Sequence, residues 1–140
     1  MSTKRDKFTS EDYYYMNHAI NLAVERNGFT GLNPSVGCVV VKNNKIISFG
    51  QTGFKGRPHA ENVALKTCKK KDLKGSTIYV TMEPCTHHGK TPPCTDLIVK
   101  SKIKRVIYSI EDVDIRTKNK AHTLLKSKRI ITSRGLLKNK

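Results

Sequence analysis

The first part of the chain has the apolar spacing of an amphipathic helix. Thr9 and Asp12 are residue types that cap a helix N-terminus, and Gly28 can take the left-handed conformation that ends a helix. Between them, apolar side chains return every three or four residues and so fall on one helical face. These side chains are Met16, Ala19, Ile20, Ala23 and Val24. The pattern predicts a helix from about Thr9 to about Asn27.

Two strands are predicted next. Pro34 fixes its own backbone and favours a turn over residues 31–35. Residues 36–41 are β-branched and almost continuously apolar, as in a strand that is covered on both faces. Asn43-Asn44 then turns the chain into residues 46–49, which are also apolar. We therefore predict an antiparallel pair of strands.

The remaining chain alternates between helix and strand patterns. The first helix begins at His59 and runs through Cys68, and the cations of Lys69–Lys71 mark its end because they suit the negative end of the helix dipole. Further helices are predicted at 95–100 and 118–126, and strands at 77–81, 105–110 and 129–132. Helices that alternate with strands after a hairpin indicate the α/β fold class, with a mixed sheet and helices on both faces.

The length of 140 residues suits one domain with a single core. No linker or repeat divides the chain, so we expect residues 1–140 to form one domain with its core at about 9–135. The most hydrophobic stretch, residues 36–41, is far too short to span a bilayer, and residues 1–10 contain no apolar run. We predict a soluble, cytoplasmic protein with no membrane partner.

The formal net charge of +16 would ordinarily favour a polyanionic partner. Most of the basic residues are lysines scattered through every segment, and Asn and Ile are also frequent. A compositional bias together with a small anionic substrate accounts for this pattern, so nucleic acid is not expected as a partner. Asp114 is nevertheless the last acidic residue, and only basic charges follow it. That C-terminal end is either a solvated helix face with a short tail or a docking surface for an acidic partner or RNA.

Two short motifs carry candidate chemistry. His59-Ala60-Glu61 supplies an imidazole and a carboxylate, and residues 84–94 supply the thiols of Cys85 and Cys94. One histidine and two cysteines form the ligand set of a catalytic zinc site that keeps its fourth position for water. Soft sulfur ligands favour zinc over magnesium or calcium. We predict one Zn²⁺ per chain, held by His59, Cys85 and Cys94, at the site of a zinc hydrolase.

Glu61 is interpreted as a proton carrier. Side chains two residues apart in the middle of a helix point about 200° away from each other, so His59 and Glu61 can share a site only where a helix begins. A fourth protein ligand would fill the position that water needs. Glu61 would therefore accept a proton from the attacking water, pass it to a ring nitrogen and protonate the departing amine.

Other residues could compete for these roles. His87 or His88 could act as a ligand, although both lie in the middle of the loop. The cysteines could also belong to a structural zinc knuckle. Cys38 and Cys68 fall on apolar faces and are interpreted as small core residues.

At the two motifs the chain resembles the cytidine-deaminase superfamily, which carries H-x-E and P-C-x-x-C signatures. Most members have two residues between the cysteines, whereas eight intervene here. The segment Pro84–Cys94 is similar to the signature of the riboflavin-pathway pyrimidine deaminases, as are Asn33–Cys38 and Gly56–Glu61. The resemblance covers nearly the whole chain and implies a three-layer α/β/α fold with a mixed sheet of about five strands.

The resemblance also implies a substrate, a small phosphorylated pyrimidine that is made from GTP and carries two amino groups and a phosphoribosylamino group. Deamination would give the corresponding aminouracil phosphate. In that family, residues at matching positions hydrogen-bond the substrate, bring a cation towards its phosphate and lie near its sugar. These residues correspond here to Asn33, Lys90, Thr91, Asp112 and Asp114.

Some positions depart from the family pattern. Val113 replaces a proline, Thr52 stands where many members have histidine, and residues 119–122 replace a turn that usually contains glycine. Family members usually continue into a reductase domain, which this sequence does not include. Either the chain is a stand-alone deaminase whose product is taken up by a separate reductase, which we expect, or the sequence is a fragment of a bifunctional protein. We also expect a homo-oligomer.

Two other functions stay open at this point. A tRNA or nucleoside deaminase of the same superfamily would suit the charge of +16, but it should have two residues between its cysteines. A zinc-containing RNA-binding or structural module without catalytic activity would require protein ligands at all four metal positions.

Overall fold

The computed structural model describes residues 7–89, 92–112, 114 and 118–138. The strands of this part of the chain are β1 (Gly37–Lys42), β2 (Lys45–Gln51), β3 (Thr77–Met82), β4 (Arg105–Ile110) and β5 (Ile131–Arg134). Its α-helices are α1 (Ser10–Glu25), α2 (Ala60–Lys66), α3 (Lys70–Leu73), α4 (Cys94–Lys100) and α5 (Lys120–Ser127). Among these described helices, none has the length and hydropathy that crossing a membrane requires.

The strands form one mixed sheet in the order β2-β1-β3-β4-β5. β1 is antiparallel to both of its neighbours, whereas β3, β4 and β5 run parallel. Helices α4 and α5 connect the parallel strands, so the carboxyl ends of these strands lie at one end of the sheet. In open α/β sheets that end is where ligands bind. The α/β fold class that was predicted from the alternation of elements is confirmed.

Both faces of the sheet are covered, which explains why β1 is almost continuously apolar. Cys38 and Val40 of β1 pack among apolar residues of α2, α4 and α5 on one face. Val39 and Val41 point to the other face and pack against α1, where Met16 is fully buried. Because successive side chains of a strand alternate between faces, a strand covered on both sides must be apolar at every position. The arrangement has the three predicted layers, with α1 alone on one side.

Several element boundaries differ from the predictions, among them those of α1, α2 and β5. Helix α1 ends at Glu25, with Arg26 as its C-cap, two residues before the predicted end. Helix α2 ends at Lys66, and residues 70–73 form the separate helix α3 because Lys69 has an extended backbone. Strand β5 begins two residues later than predicted, since Arg129 takes a left-handed turn conformation with φ of 63°.

A buried carboxylate ties the start of α1 to the sheet. Asp12 accepts hydrogen bonds from the Tyr79 hydroxyl at 2.6 Å and from both terminal nitrogens of Arg105 at 3.0 and 3.1 Å. The Thr9 backbone N–H donates to it as well, within a capping box. Burial raises the pKa of Asp12, but the hydrogen bonds from Tyr79, Thr9 and Arg105 outweigh it and hold the pKa below its usual value.

Replacing Asp12 with Asn should therefore destabilise the fold. We expect the free energy of unfolding to fall by about 3 kcal/mol at pH 7, because Arg105 would lose its buried partner charge. The pKa of Asp12 is lowered in the folded state, so its stabilising effect is present above the unfolded pKa of about 4 and is lost as the pH falls through the folded value.

Urea unfolding of the wild type and of Asp12→Asn at pH 7 and at pH 4 measures this effect. The difference in the free energy of unfolding between the two proteins should be smaller at pH 4. Glu11→Gln, an exposed change at the adjacent position, is the matched control and should shift stability by less than about 0.5 kcal/mol. A difference between wild type and Asp12→Asn that did not depend on pH would contradict the electrostatic account.

Candidate active site

Three potential metal ligands converge at the carboxyl end of the parallel strands. His59 is the N-cap of α2, Cys85 lies in the loop after β3, and Cys94 is the first residue of α4. The Nδ1 atom of His59 lies 3.8 Å from the Cys85 Sγ and 3.5 Å from the Cys94 Sγ. The three ligand atoms all lie within 4.8 Å of one another, and no other metal-binding group of three or more such residues occurs in the described part of the chain.

The loop between the cysteines is closed by backbone contacts at the start of α4. The Cys94 N–H donates to the Cys85 Sγ at 3.2 Å, and both the N–H and the hydroxyl of Thr95 donate to the Cys85 carbonyl at 3.2 Å. Pro93, with an extended backbone, is the N-cap of α4. One backbone donor at the start of α4 therefore contacts the Cys85 sulfur, which favours the thiolate form of that cysteine.

The geometry fits zinc. Zinc–sulfur bonds of about 2.3 Å and zinc–nitrogen bonds of about 2.0 Å, at tetrahedral angles, place the nitrogen and sulfur atoms about 3.6 Å apart. The observed separations from the His59 nitrogen are 3.5 and 3.8 Å. The donor set of one imidazole and two thiols is also the set that zinc prefers.

The pKa values of the three potential ligands depend strongly on one another. A hydrogen bond from the Cys94 thiol, with a further contribution from His59, lowers the pKa of Cys85 to about 4. The same hydrogen bond and burial raise the pKa of Cys94. The hydrogen bond with Cys85 also raises the pKa of His59. A cation bound at this cluster would favour the thiolate form of both cysteines.

Glu61 lies in the first turn of α2, beside the three ligands but outside their group. It is 4% exposed, and burial raises the pKa of its carboxyl to about 7. Its carboxylate does not belong to the cluster of ligand atoms. The backbone of His59 is still extended, with φ of −68° and ψ of 154°, so the two side chains reach one site although they are two residues apart.

A cavity of about 280 Å³ opens in front of these residues. Its wall contains both His59 and Glu61, so a molecule in it can reach the carboxylate and one of the three ligands together. The remaining lining residues are Leu32, Asn33, Pro34, Val36, Thr52, Met82, Asp112 and Asp114. Four apolar side chains and six polar or charged ones share this wall, and convergent polar groups of this kind orient a small ligand.

Three of the five residues that we predicted to contact the substrate line this cavity. Asn33 donates from Nδ2 to the Gly56 carbonyl at 3.1 Å, which fixes its side chain at the wall. Asp112 accepts the Asp114 N–H at 3.0 Å, so the two carboxylates are held in one turn. Lys90 and Thr91 lie outside the described residues, as does Val113.

Glu83 is a residue that the sequence analysis missed. Its side chain is buried, and it accepts hydrogen bonds from the N–H groups of Asp112 at 3.1 Å, Asn119 at 2.9 Å and Ala121 at 3.0 Å. One carboxylate thus holds the cavity loop and the start of α5. The only signal in the sequence is an acid placed directly before Pro84 and Cys85, where a strand ends.

Thr52 is a second residue whose role emerges from the structure. It is 2% exposed, and its hydroxyl accepts the Val36 N–H at 2.8 Å. This bond joins the end of β2 to the segment that carries Asn33. Thr52 therefore shapes the wall of the cavity at the position where a histidine was expected.

The competing candidates lie elsewhere. Among the described residues, His87 and His88 are not part of the ligand cluster. Cys38 is fully buried in the core and Cys68 packs against it, as predicted. Burial raises the pKa of the Cys38 thiol well above its usual value.

Comparison with known families decides the identity of this fold and site. The family model of the cytidine and deoxycytidylate deaminase zinc-binding region matches residues 9–110, which include all three clustered ligands and Glu61. The chain belongs to this deaminase family. Its zinc cofactor, predicted from the ligand set, is confirmed by the same match.

Within the family, the relatives are those that the Pro84–Cys94 motif indicated. A diaminohydroxyphosphoribosylamino-pyrimidine deaminase of Buchnera aphidicola subsp. Schizaphis graminum is 44% identical over 127 residues, which cover 91% of this chain and 86% of that protein. The riboflavin biosynthesis protein RibD of Aquifex aeolicus is 52% identical over 101 residues, or 72% of this chain. This deaminase membership was predicted from the motifs and is confirmed.

A solved structure supports the same relationship. It is that of a diaminohydroxyphosphoribosylaminopyrimidine deaminase/5-amino-6-(5-phosphoribosylamino)uracil reductase from Thermotoga maritima. The TM-score is 0.86 at 42% identity, over 92% of this chain and 37% of that one. The chain spans only 28 to 34% of the length of the first curated relatives that it matches.

Proposed function

We propose that this deaminase acts on 2,5-diamino-6-(5-phosphoribosylamino)pyrimidin-4-one. The reaction consumes water and yields 5-amino-6-(5-phosphoribosylamino)uracil and ammonia, as a step of riboflavin biosynthesis. The observation that carries the proposal is the cluster of His59, Cys85 and Cys94 beside the buried Glu61 on one cavity. The Buchnera relative of similar length bears the name of this activity.

His59, Cys85 and Cys94 would hold the zinc. Bound there, zinc acts as a Lewis acid and lowers the pKa of water towards about 7, which makes a nucleophile available at neutral pH. The two thiolates balance the charge of the metal, and the three residues come from the starts of two helices and the loop that follows β3. Helix starts therefore set the positions of His59 and Cys94.

Glu61 moves the protons. Its carboxylate accepts one proton from the attacking water and delivers it to the ring nitrogen next to the amino-bearing carbon. The new carbon–oxygen bond then forms. Glu61 next takes the remaining proton from the new hydroxyl and gives it to the amine as the carbon–nitrogen bond breaks, which leaves a carbonyl and ammonia. Burial, which raises the pKa of Glu61 to about 7, suits a group that must both take and give a proton near neutral pH.

The polar groups of the cavity would orient the substrate. We assign the amide of Asn33 to the pyrimidine and the carboxylates of Asp112 and Asp114 to the sugar hydroxyls, since all three line the cavity. Lys90 and Thr91 are assigned to the phosphate from their place in the loop between the cysteines.

A direct assay tests the proposed substrate. Purified protein with zinc should release ammonia from the phosphoribosylamino-pyrimidine, and dCMP, cytidine and a tRNA anticodon stem should react at least about 100-fold more slowly, as poorly matched substrates do. Preferential release from the tRNA stem would assign the chain to tRNA editing instead. Stoichiometric zinc without activity on any of these compounds would support a non-catalytic module.

The organisation of the pathway around this chain is also a proposal. We infer that residues 1–140 act as one deaminase domain and that a separate reductase takes up the product. The Buchnera protein named for the deaminase alone supports this, because the chain covers 86% of it. That the chain forms a homo-oligomer stays a prediction.

Glu83 should act as a positioning residue for the cavity. In Glu83→Gln an amide NH₂ would face one of the three backbone N–H donors, and an unsatisfied buried donor costs about 1–3 kcal/mol. We expect the loop that carries Asp112 and Asp114 to loosen. KM for the pyrimidine should rise about 10-fold while kcat changes less than about 3-fold, because loss of binding alone raises KM.

Steady-state kinetics with measured zinc content separates this role from metal binding. Glu111→Gln removes an exposed carboxylate from the same loop and should leave both constants unchanged. Zinc should stay at one per chain in both variants. A fall in kcat with unchanged KM would show that Glu83 serves the chemical step and does not position the loop.

A further inference from the structure

The end of the sheet opposite the active site gathers a large share of the positive charge. Thr77, Arg105 and Ile131 are neighbours in the ladders, so β3, β4 and β5 all begin at this end. Val41 of the antiparallel β1 pairs with Thr77, which places the β1–β2 turn there as well. Four connecting segments meet as a result: residues 42–45, 66–74, 100–104 and 126–129. We call their combined surface the basic face.

The basic face holds thirteen of the 27 lysines and arginines of the chain, and Asp72 is its one carboxylate. All of these cations are exposed except Lys42, which is half-buried and reaches the Lys71 carbonyl. The ion pairs found among the described residues are Arg105 with Asp12 and Lys118 with Glu111, and neither uses a cation of this face. The charge is therefore left unneutralised.

The opposite end has a different charge balance. Glu61, Glu83, Glu111, Asp112 and Asp114 all lie at the carboxyl ends of the strands or in the loops that follow them. A lysine-rich composition alone would spread cations evenly over the surface. The fold instead gathers thirteen cations and one carboxylate on the basic face, whereas the opposite end mixes its acids with cations such as Lys55, Lys118 and Lys120. It also divides the basic C-terminal stretch, since Lys118 and Lys120 lie near the site and residues 126–129 lie on the basic face.

The residue types of the basic face indicate which kind of partner it can bind. None of the large exposed apolar side chains among the described residues belongs to its four segments. Protein interfaces need an apolar centre and are depleted in lysine, and stable attachment to a membrane needs an apolar or lipid anchor. Binding of single-stranded nucleic acid relies on stacking against aromatic side chains, which these segments do not contain.

We propose that the basic face binds the phosphate backbone of a nucleic-acid duplex without reading its sequence. Neighbouring strands lie about 4.8 Å apart, so the segments at β1, β3, β4 and β5 form a row of cations about 15 Å long. A duplex carries one negative charge per about 1.7 Å of axis, which supplies phosphates along the whole row. The binding is independent of the deaminase reaction, which takes place at the other end of the sheet.

Two variants with the same net charge test the proposal. The face variant replaces Lys74, Lys102, Lys104 and Lys128 with Gln. The control variant replaces Lys55, Lys118, Lys120 and Lys138 with Gln, so each loses four exposed cations. The probe is a fluorescein-labelled 20-base-pair RNA duplex of arbitrary sequence, with fluorescence anisotropy as the readout in 150 mM KCl and in a salt series. A DNA duplex and the RNA single strand are measured beside it.

We expect the wild type to bind both duplexes with a Kd on the order of 10 μM, within the usual range for binding without sequence specificity. The face variant should bind at least about 10-fold more weakly. The slope of log binding constant against log salt concentration should become less steep by about 0.9 for each phosphate contact that is lost. The control variant should change less than about 3-fold, because charges beyond the Debye length of about 8 Å are screened. Deaminase activity and the melting temperature of the face variant should match the wild type.

Three results would overturn the proposal. Equal losses in the two variants would mean that binding follows net charge and not the basic face. A wild-type Kd above about 100 μM for both duplexes would fall outside even weak nonspecific binding. Binding to phosphatidylserine-containing vesicles or to the single strand, without binding to either duplex, would assign the face to another partner. The proposed deaminase function is unaffected by any of these outcomes.

Discussion

Replacing Glu61 with Gln should lower kcat by about 10² to 10⁴-fold, the range that general acid–base catalysis contributes. Gln has nearly the same shape and hydrogen-bonding reach, but it cannot accept a proton from water or give one to the departing amine. The carboxylate lies outside the ligand cluster of His59, Cys85 and Cys94. Zinc content should therefore stay at one per chain.

Single-turnover kinetics with metal analysis on the same sample checks this prediction. Glu25→Gln is the matched control, because Glu25 sits at the exposed end of α1 and contacts Gln51, away from the cavity. Its kcat should equal that of the wild type. A Glu61→Gln protein that turns over at more than a tenth of the wild-type rate would remove Glu61 from the proton-transfer role.

Replacing Cys94 with Ser should abolish both metal binding and activity. The change removes one of the two thiolates, the one whose sulfur lies 3.5 Å from the His59 Nδ1 atom. A serine hydroxyl stays protonated at neutral pH and is a poor zinc ligand. Since zinc binds only the folded chain, its loss also removes a stabilisation of about 4 kcal/mol for a metal held at 1,000 times its Kd.

The prediction for Cys94→Ser is tested by measuring zinc content and the melting temperature with and without a chelator. Chelation should lower the melting temperature of the wild type and leave that of Cys94→Ser unchanged. Cys68→Ser, a half-buried cysteine outside the cluster, should keep its zinc and its response to the chelator. Stoichiometric zinc in Cys94→Ser would show that the metal is held by other residues.

Local sequence patterns predict most elements of the fold correctly because they depend on nearby residues. The capping box of Thr9 and Asp12 and the apolar stripe that follows define α1. The continuous apolar stretch of β1 indicates a strand that is buried on both faces. The errors lie at chain ends of elements, as at Lys66, where the path of the chain depends on distant partners.

The sequence alone determined the chemistry of this protein: an imidazole and a carboxylate two residues apart, two cysteines with eight residues between them, and the family to which these motifs belong. Residue types and short spacings carry that information because each motif is a local arrangement. Only the tertiary structure decided which distant groups meet. Glu83 is seen to hold residues up to 38 positions away, and lysines scattered along the chain are seen to share one face, because long-range contacts and strand register place them there.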